Sequence, residues 1–247
     1  MFPRAEGTTS GRPLGAARWQ RLTAVVRSLV GLVSPAGRRS PGLIRRVTVV
    51  QSDIVSSTHL IEIAGAAYPH VLMRHRALIA RAVARKGGTF MAYAGDGTLA
   101  VFDRADDAIS ASVEAQRALA AEPWPDGLVP RVRMGVHAGD IYVVGGEPVG
   151  LVINHGARIM ALAQPGQVMV SQAAAQAAVQ TGRPAAGRPE VADAGWHVLR
   201  DHAGPVRLSQ VVADGLTVVP PGDVAIIDLT TAPGGVDAVR AMLNRPS

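Results

Sequence analysis

Two aspartates, Asp53 and Asp96, stand where strand-like runs break into turns. Asp53 closes the apolar run Val47-Thr-Val-Val50 and opens Asp53-Ile54-Val55-Ser56-Ser57-Thr58. Asp96 lies between glycines in Gly95-Asp96-Gly97, with an apolar run on either side, as at the tip of a β-hairpin. Two hard carboxylates of this kind can hold Mg²⁺ or Mn²⁺ over a nucleoside triphosphate. Taken singly, each segment also fits a helix cap or a plain turn. Further along, Gly150-Leu-Val-Ile-Asn154-His-Gly-Ala-Arg158 sets an amide and a guanidinium on one face of a helix. An arginine there can meet phosphate with its planar fork while the asparagine orients a sugar, although the same spacing also occurs on a solvated face.

The elements that must carry these groups follow from periodicity. Arg46 to Asp53 reads as a strand, 55–66 and 69–86 as helices, 89–94 with 98–102 as a hairpin, and 104–121 as an alanine-rich helix. A proline-rich loop, 123–130, precedes two strands near 131–138 and 140–145. Asn154 to Ala163 reads as helical, Gln167 to Ser171 as extended and Gln172 to Gln180 as helical. After a loop at 182–189, Gly195 to Arg200 and Pro205 to Val212 form a last strand pair. This order predicts an α+β fold, a ferredoxin-like mixed sheet with helices on one face. Residues 1–45 form a basic, flexible N-terminal extension with one amphipathic helix at 17–33. Residues 46–212 form the working domain. Residues 213–247 are a C-terminal extension with a strand at Val224 to Leu229 and a short terminal helix.

Composition removes several function classes. The chain has 247 residues, 48% of them apolar, enough for a sizeable core. With no cysteine, disulfides, thiolate catalysis and sulfur-bound zinc are excluded, and the chemistry falls to oxygen and nitrogen ligands. No apolar run reaches the roughly 18 residues of a membrane span, so the expectation is a protein of the cytoplasm without a transmembrane segment. The net charge of +6 is mostly arginine ahead of residue 47, and aromatic residues make up only 4% of the chain. Specific nucleic-acid recognition is therefore not expected, and the basic tail reads as solvated or weakly polyanion-associating. His137 and His155 read as structural.

In order, the strand with Asp53-Ile54-x-x-Ser57-Thr58, then Gly95-Asp96-Gly97 with Leu-Ala-Val-Phe102, Val132-Arg-Met-Gly-Val-His-Ala-Gly-Asp140, Gly150-x-x-x-Asn154-x-x-x-Arg158 and Pro165-Gly-Gln-Val-Met-Val-Ser171 resemble the class III nucleotide cyclase catalytic domain. The likeness covers about residues 46–212 and includes Gly195-Trp-His-Val-Leu-Arg200 as the closing strand. It implies a head-to-tail homodimer with shared active sites. Asp53, Asp96 and the Ile54 backbone carbonyl would hold two divalent ions, Mn²⁺ or Mg²⁺. Asn154 and Arg158 would arrive from the other protomer as catalytic groups, the first setting the ribose and the second neutralising the α-phosphate. The amides at Val55, Ser56, Ser57 and Thr58 and the side chain of Arg200 would hold the triphosphate.

The likeness breaks where the family reads its base. Adenylate cyclases carry a lysine four residues before the second aspartate and an aspartate or threonine seven before the asparagine. Here those positions hold Ala92 and Glu147. A methyl group cannot donate to adenine, a loss of about 1.5–3 kcal/mol for a site built on that bond. The glutamate of guanylate cyclases is absent too. Tyr93 beside the vacancy, with Arg85 eight residues earlier, offers a phenol and a guanidinium to a smaller base. This looks like the stand-alone uridylate and cytidylate cyclases of bacterial antiphage (Pycsar-type) signalling, which make a cyclic nucleotide for a separate effector protein. An adenylate cyclase with a degenerate pocket, a catalytically silent cyclase-like regulatory module and a basic DNA-associated regulator stay open.

Overall fold

A computed structural model describes residues 44–92, 95–144, 147–181, 187–200, 202 and 204–220. The expected helix at 17–33, Tyr93, the strand at 224–229 and the terminal helix lie outside the described residues. The elements are β1 (Ile44–Ile54), α1 (Ser57–Ala64), α2 (Tyr68–Arg85), β2 (Thr89–Ala92), β3 (Thr98–Phe102), α3 (Ala105–Ala121), β4 (Val132–Val144), β5 (Glu147–Val149), α4 (Leu151–Leu162), β6 (Val168–Ser171), α5 (Gln172–Val179), β7 (Glu190–Val198) and β8 (Pro205–Val212). The sheet runs β2-β3-β1-β4-β6-β8-β7, with β5 pairing on β4 off that path. It is mixed: β4 and β6 are parallel, while the β1–β3, β2–β3, β6–β8 and β7–β8 pairs are antiparallel.

Alternation along β1 sorts the helices onto two faces. Val50 and Ile54 point into a cluster with Val71, Leu78 and Ile79 of α2 and Ala108 and Ile109 of α3. Val47 and Val49 point the other way, into a cluster with Val152 and Ile153 of α4. Helices therefore cover both faces, which corrects the single-face expectation. A strand sandwiched between helix layers must be apolar on both sides, and this accounts for the unbroken run at 47–50.

The layers are held by ordinary periodicity. α2 begins with Pro69 in its first turn and buries Val71, His75, Leu78, Ile79, Ala82 and Val83, a stripe at helical spacing. α3 turns mostly small residues inward, so it packs closely on α2. α4 lies backbone-on-backbone against β4: a Cβ on Gly135 would come 2.5 Å from the Met160 nitrogen. Gln51 Nε2 donates to the Ile153 carbonyl at 2.8 Å and fixes the start of that helix against β1.

Several expected boundaries move. Residues 132–144 form one strand rather than two, α4 begins at Leu151 rather than Asn154, and the strand expected at Gly195 to Arg200 is β7, Glu190–Val198, which leaves Arg200 in the loop after it. The chain divides into two units, and Tyr142–Val149 belongs to the smaller. Within it the end of β4 pairs with β5, Tyr142 opposite Val149 and Val144 opposite Glu147.

After β8, residues 213–220 form a strap fastened to the larger unit. Thr217 donates its backbone N–H to the Gly166 carbonyl at 3.1 Å and its hydroxyl to the Pro165 carbonyl at 2.8 Å. The buried Gln210 side chain accepts from the Val219 N–H at 2.9 Å and from Gln167 Nε2 at 2.8 Å, and donates back to the Val219 carbonyl. Arg117 Nε holds the Asp214 carbonyl at 2.9 Å.

Candidate active site

The carboxylates meet because two strands are locked in register just behind them. Ser52 lies opposite Thr98, and their hydroxyls are 2.6 Å apart. Asp53 follows Ser52, Asp96 precedes Thr98 by two residues, and the Gly95 turn, at φ 68°, brings the second back to the first. The Ile54 N–H donates to Asp96 Oδ2 at 3.1 Å. From α2, Arg76 donates to the Gly95 carbonyl and holds the turn.

Burial raises the Asp53 pKa, and the charge and hydrogen-bonding contact of Asp96 raise it further, while the bond to Arg133 opposes both. Two half-buried carboxylates side by side repel, and a divalent cation between them relieves that repulsion. Among the described residues no group of three or more His, Cys, Asp or Glu forms a metal cluster. The groups that could hold such an ion are Asp53, Asp96 and the Ile54 carbonyl. Such a sparse, hard-oxygen set fits Mg²⁺ or Mn²⁺ carried in on a triphosphate.

The turn that follows is partly as expected. The Val55 amide is committed to the Arg131 carbonyl at 2.8 Å, so it does not point at a phosphate, which corrects its expected role. Ser56 sits in the left-handed region at φ 56° and makes no side-chain cap bond, an uncommon conformation for a residue with a Cβ. The Ser57 and Thr58 amides open α1 and have no partner within the helix, the arrangement that receives anions.

Arg133 was not marked by sequence reasoning. Its Nη2 donates to Asp53 Oδ2 at 2.8 Å and its Nη1 to the Ala161 carbonyl, near the end of α4, at 3.0 Å. The signal was an arginine inside the apolar alternation of Val132 to Val136, where a charge needs a partner. Tyr68 also went unmarked; burial, followed by Asp96, raises its pKa, and Asp53 adds to the shift. Nearby His75 is wholly buried and its pKa is pushed down to about 4, chiefly by burial, so it is a neutral core residue.

The structure does not bring Asn154 to Asp53 within one chain. Asp53 is tied through Arg133 to Ala161 near the C-terminal end of α4. Asn154 lies seven residues nearer the start, about 10 Å along the axis, and is exposed. Arg158, half-buried, follows one turn later on the same helix. The loop holding Arg200 is brought to this end, because His202 meets His155 edge-on with ring centroids 5.4 Å apart. Arg85 goes elsewhere: its guanidinium pairs with Glu114 of α3 rather than joining the aspartates. The Ala92 backbone pairs with Thr98 at the end of β2, and Glu147 lies on β5 in the smaller unit.

No protein-family model matches the chain. An uncharacterised protein of Mycobacterium tuberculosis is 33% identical over 157 residues, covering 62% of this chain and 51% of that protein. The chain thus spans about half the length of the relatives it matches. A crystal structure described as an adenylate/guanylate cyclase/hydrolase from Silicibacter pomeroyi superposes with a TM-score of 0.57 at 28% identity, covering 70% of this chain and 99% of that one. Adenylate cyclases of Trypanosoma brucei, in their monomeric state, superpose with a TM-score of 0.58 at 22% identity, covering 72% and 93%. The mixed sheet with flanking helices is the class III cyclase fold.

Proposed function

We propose that this chain is a nucleotide cyclase, converting a nucleoside triphosphate into its 3′,5′-cyclic monophosphate and pyrophosphate. The observation that carries the reading is the pairing of Asp53 and Asp96 across β1 and the Gly95 turn, on a fold shared with cyclases. Divalent ions bound there would lower the pKa of the ribose 3′-hydroxyl and hold the departing pyrophosphate. Asp53, Asp96 and the Ile54 carbonyl orient those ions. The Ser57 and Thr58 amides face the outer phosphates. Arg133, whose fork holds Asp53 and the Ala161 carbonyl, would position that carboxylate and add a positive charge beside the triphosphate. As the 3′-oxygen bonds to the α-phosphorus, the bond to the bridging oxygen breaks and the hydroxyl proton passes to solvent.

The remaining groups come from a second copy. Asn154 and Arg158 lie up α4 from their own chain's carboxylates, so a head-to-tail homodimer sets them against the partner's aspartates and builds shared sites. There Arg158 neutralises charge growing on the α-phosphate, Asn154 holds the ribose and Arg200 adds to the triphosphate contacts.

The favoured substrate is UTP or CTP, because Ala92 supplies neither a donor for adenine nor an acceptor for guanine. The cyclic product would then act on a separate effector, as in antiphage signalling. Incubating the protein with each of the four triphosphates and Mn²⁺ tests both levels. A cyclic pyrimidine nucleotide is the expected product. Product from ATP alone would replace the pyrimidine assignment with an adenylate cyclase, and no product from any triphosphate would overturn the enzymatic reading.

A further inference from the structure

The strap at 213–220 adds no strand to the sheet, yet its bonds converge on the two residues that flank Arg133. The Gly166 N–H donates to the Val132 carbonyl at 2.7 Å, and the Met134 N–H donates to the Gln167 carbonyl at 3.1 Å. The turn at 165–167 thus grips β4 immediately before and immediately after Arg133. Thr217 of the strap holds the other side of the same turn, its N–H on the Gly166 carbonyl and its hydroxyl on the Pro165 carbonyl. The approach is close: a Cβ on Gly166, which sits at φ 81°, would come 2.6 Å from the Thr217 hydroxyl.

Side chains pin the turn a second time. Gln167 accepts the Gln164 N–H at 2.8 Å through Oε1 and donates through Nε2 to Gln210 Oε1, also at 2.8 Å. Gln210 in turn is bonded to Val219 of the strap. On α3, Gln116 Nε2 donates to the Val132 carbonyl at 3.0 Å while the next residue, Arg117, holds the Asp214 carbonyl at 2.9 Å, so one helical turn serves both β4 and the strap. Arg133 continues the path from this clamped backbone to Asp53 and to the Ala161 carbonyl. Its Nε is buried without a partner among the described residues. The fork therefore rests on two contacts, and both depend on where residues 132–134 and the end of α4 are held. A planar fork loses its bonds after a small displacement or tilt.

We propose that the strap is a positioning element of the carboxylate site, with Thr217 as its main contact. The strap fixes the turn at 165–167, the turn fixes the root of Arg133, and Arg133 presents Asp53. Undocking the strap then slackens the Arg133 fork and lowers turnover while the sheet stays folded. The strap begins where the residue likeness to cyclases, 46–212, stops. For its effect on turnover the inference rests on the cyclase reading, whereas the coupling of Thr217 to Arg133 does not.

The test uses the full chain carrying Thr217→Pro, which removes both donors, or Thr217→Val, which keeps the N–H and loses the hydroxyl. Thermal melts show whether each is folded, and Thr217→Val carries the test alone if the proline variant is not. Heteronuclear NMR of the arginine side chains reads the bridge directly. A guanidinium held by two partners gives separate, slowly exchanging Nη signals, identified here as those missing from Arg133→Lys. We expect these signals in the parent chain and their merging in Thr217→Pro, with Thr217→Val between the two. Activity with Mn²⁺ and each triphosphate is the second readout. Thr217→Pro is expected to lower kcat/KM about three- to tenfold, the order of one neutral hydrogen bond, and to cause no further loss in an Arg133→Ala background. Arg133 signals that stay separate in the folded Thr217 variants would overturn the positioning role. So would an equal loss of activity with and without the Arg133 guanidinium, which would make the strap a general support of the fold. Signals that merge in a chain that cyclises no triphosphate would keep the Thr217–Arg133 coupling and sink the cyclase reading, and cyclisation by a chain whose Arg133 signals ignore Thr217 would do the reverse.

Discussion

Arg133 bridges Asp53 and the carbonyl of Ala161, with one nitrogen of its fork on each, at 2.8 and 3.0 Å. One side chain thus ties the Asp53 carboxylate of β1 to the end of α4, the helix that carries Asn154 and Arg158. The bridge also tempers Asp53, whose charge would otherwise be opposed by both burial and Asp96.

Replacing Arg133 by alanine is expected to lower kcat/KM by roughly 10- to 100-fold, the worth of one charge-assisted hydrogen bond. Arg133→Lys keeps the charge but not the fork, and should recover part of the loss. Steady-state kinetics at saturating Mn²⁺ check both, and unchanged kinetics in the alanine variant would remove Arg133 from the site.

Asp53→Ala and Arg158→Ala are each expected to be inactive as single variants. Mixed, they regain activity, because each heterodimer restores one site from an intact carboxylate half and an intact arginine half. An activity assay across mixing ratios checks this, and a mixture no more active than its components would show that the halves do not come from different chains.

Asp53 has a pKa above its ordinary value, so its contribution to stability is present at low pH and is lost as pH rises through the folded-state pKa. At neutral pH without metal, Asp53→Asn is therefore expected to melt slightly higher than the parent chain, by a degree or so given solvent screening. Adding Mn²⁺ should reverse the order by stabilising only the parent. Thermal melts with and without metal provide the measurement.

The positions of Asp53 and Asp96 were readable because a strand that stops at a carboxylate and a glycine-flanked turn are local features. Gly139 falls between the strands expected at 131–138 and 140–145, yet it lies within β4, where a Cβ would come 3.1 Å from Val152. Its role is to admit α4, and no local pattern separates a glycine kept for clearance from one kept for a bend. Arg133 was hidden for a similar reason. Alternation tells which side of β4 it takes, but its partner is 80 residues away in sequence. The two-faced sheet followed from β1 being apolar at successive positions, a cue that the expected one-sided layout overlooked.

Gly135→Ala is expected to destabilise the fold by about 1–3 kcal/mol, since the new methyl meets the backbone of α4 at Met160 and neither chain segment can yield cheaply. Urea unfolding measures the loss. Because α4 would have to lift, kcat should fall as well, even under conditions where the variant is fully folded.

The strap after β8 bears on where this chain can be joined to anything else. Gln210 is a buried amide bonded to Val219 and to the buried Gln167, and the Thr217 hydroxyl occupies the space a side chain at Gly166 would fill. Loss of residues 213–220 would leave Gln210 Nε2 without its acceptor, at about 1–3 kcal/mol for a buried unsatisfied group, while Gln210 Oε1 keeps Gln167 Nε2 and Gln167 Oε1 keeps the Gln164 N–H. A reporter or tether is therefore better grafted beyond Pro220, where the last described bond to the sheet has already been made.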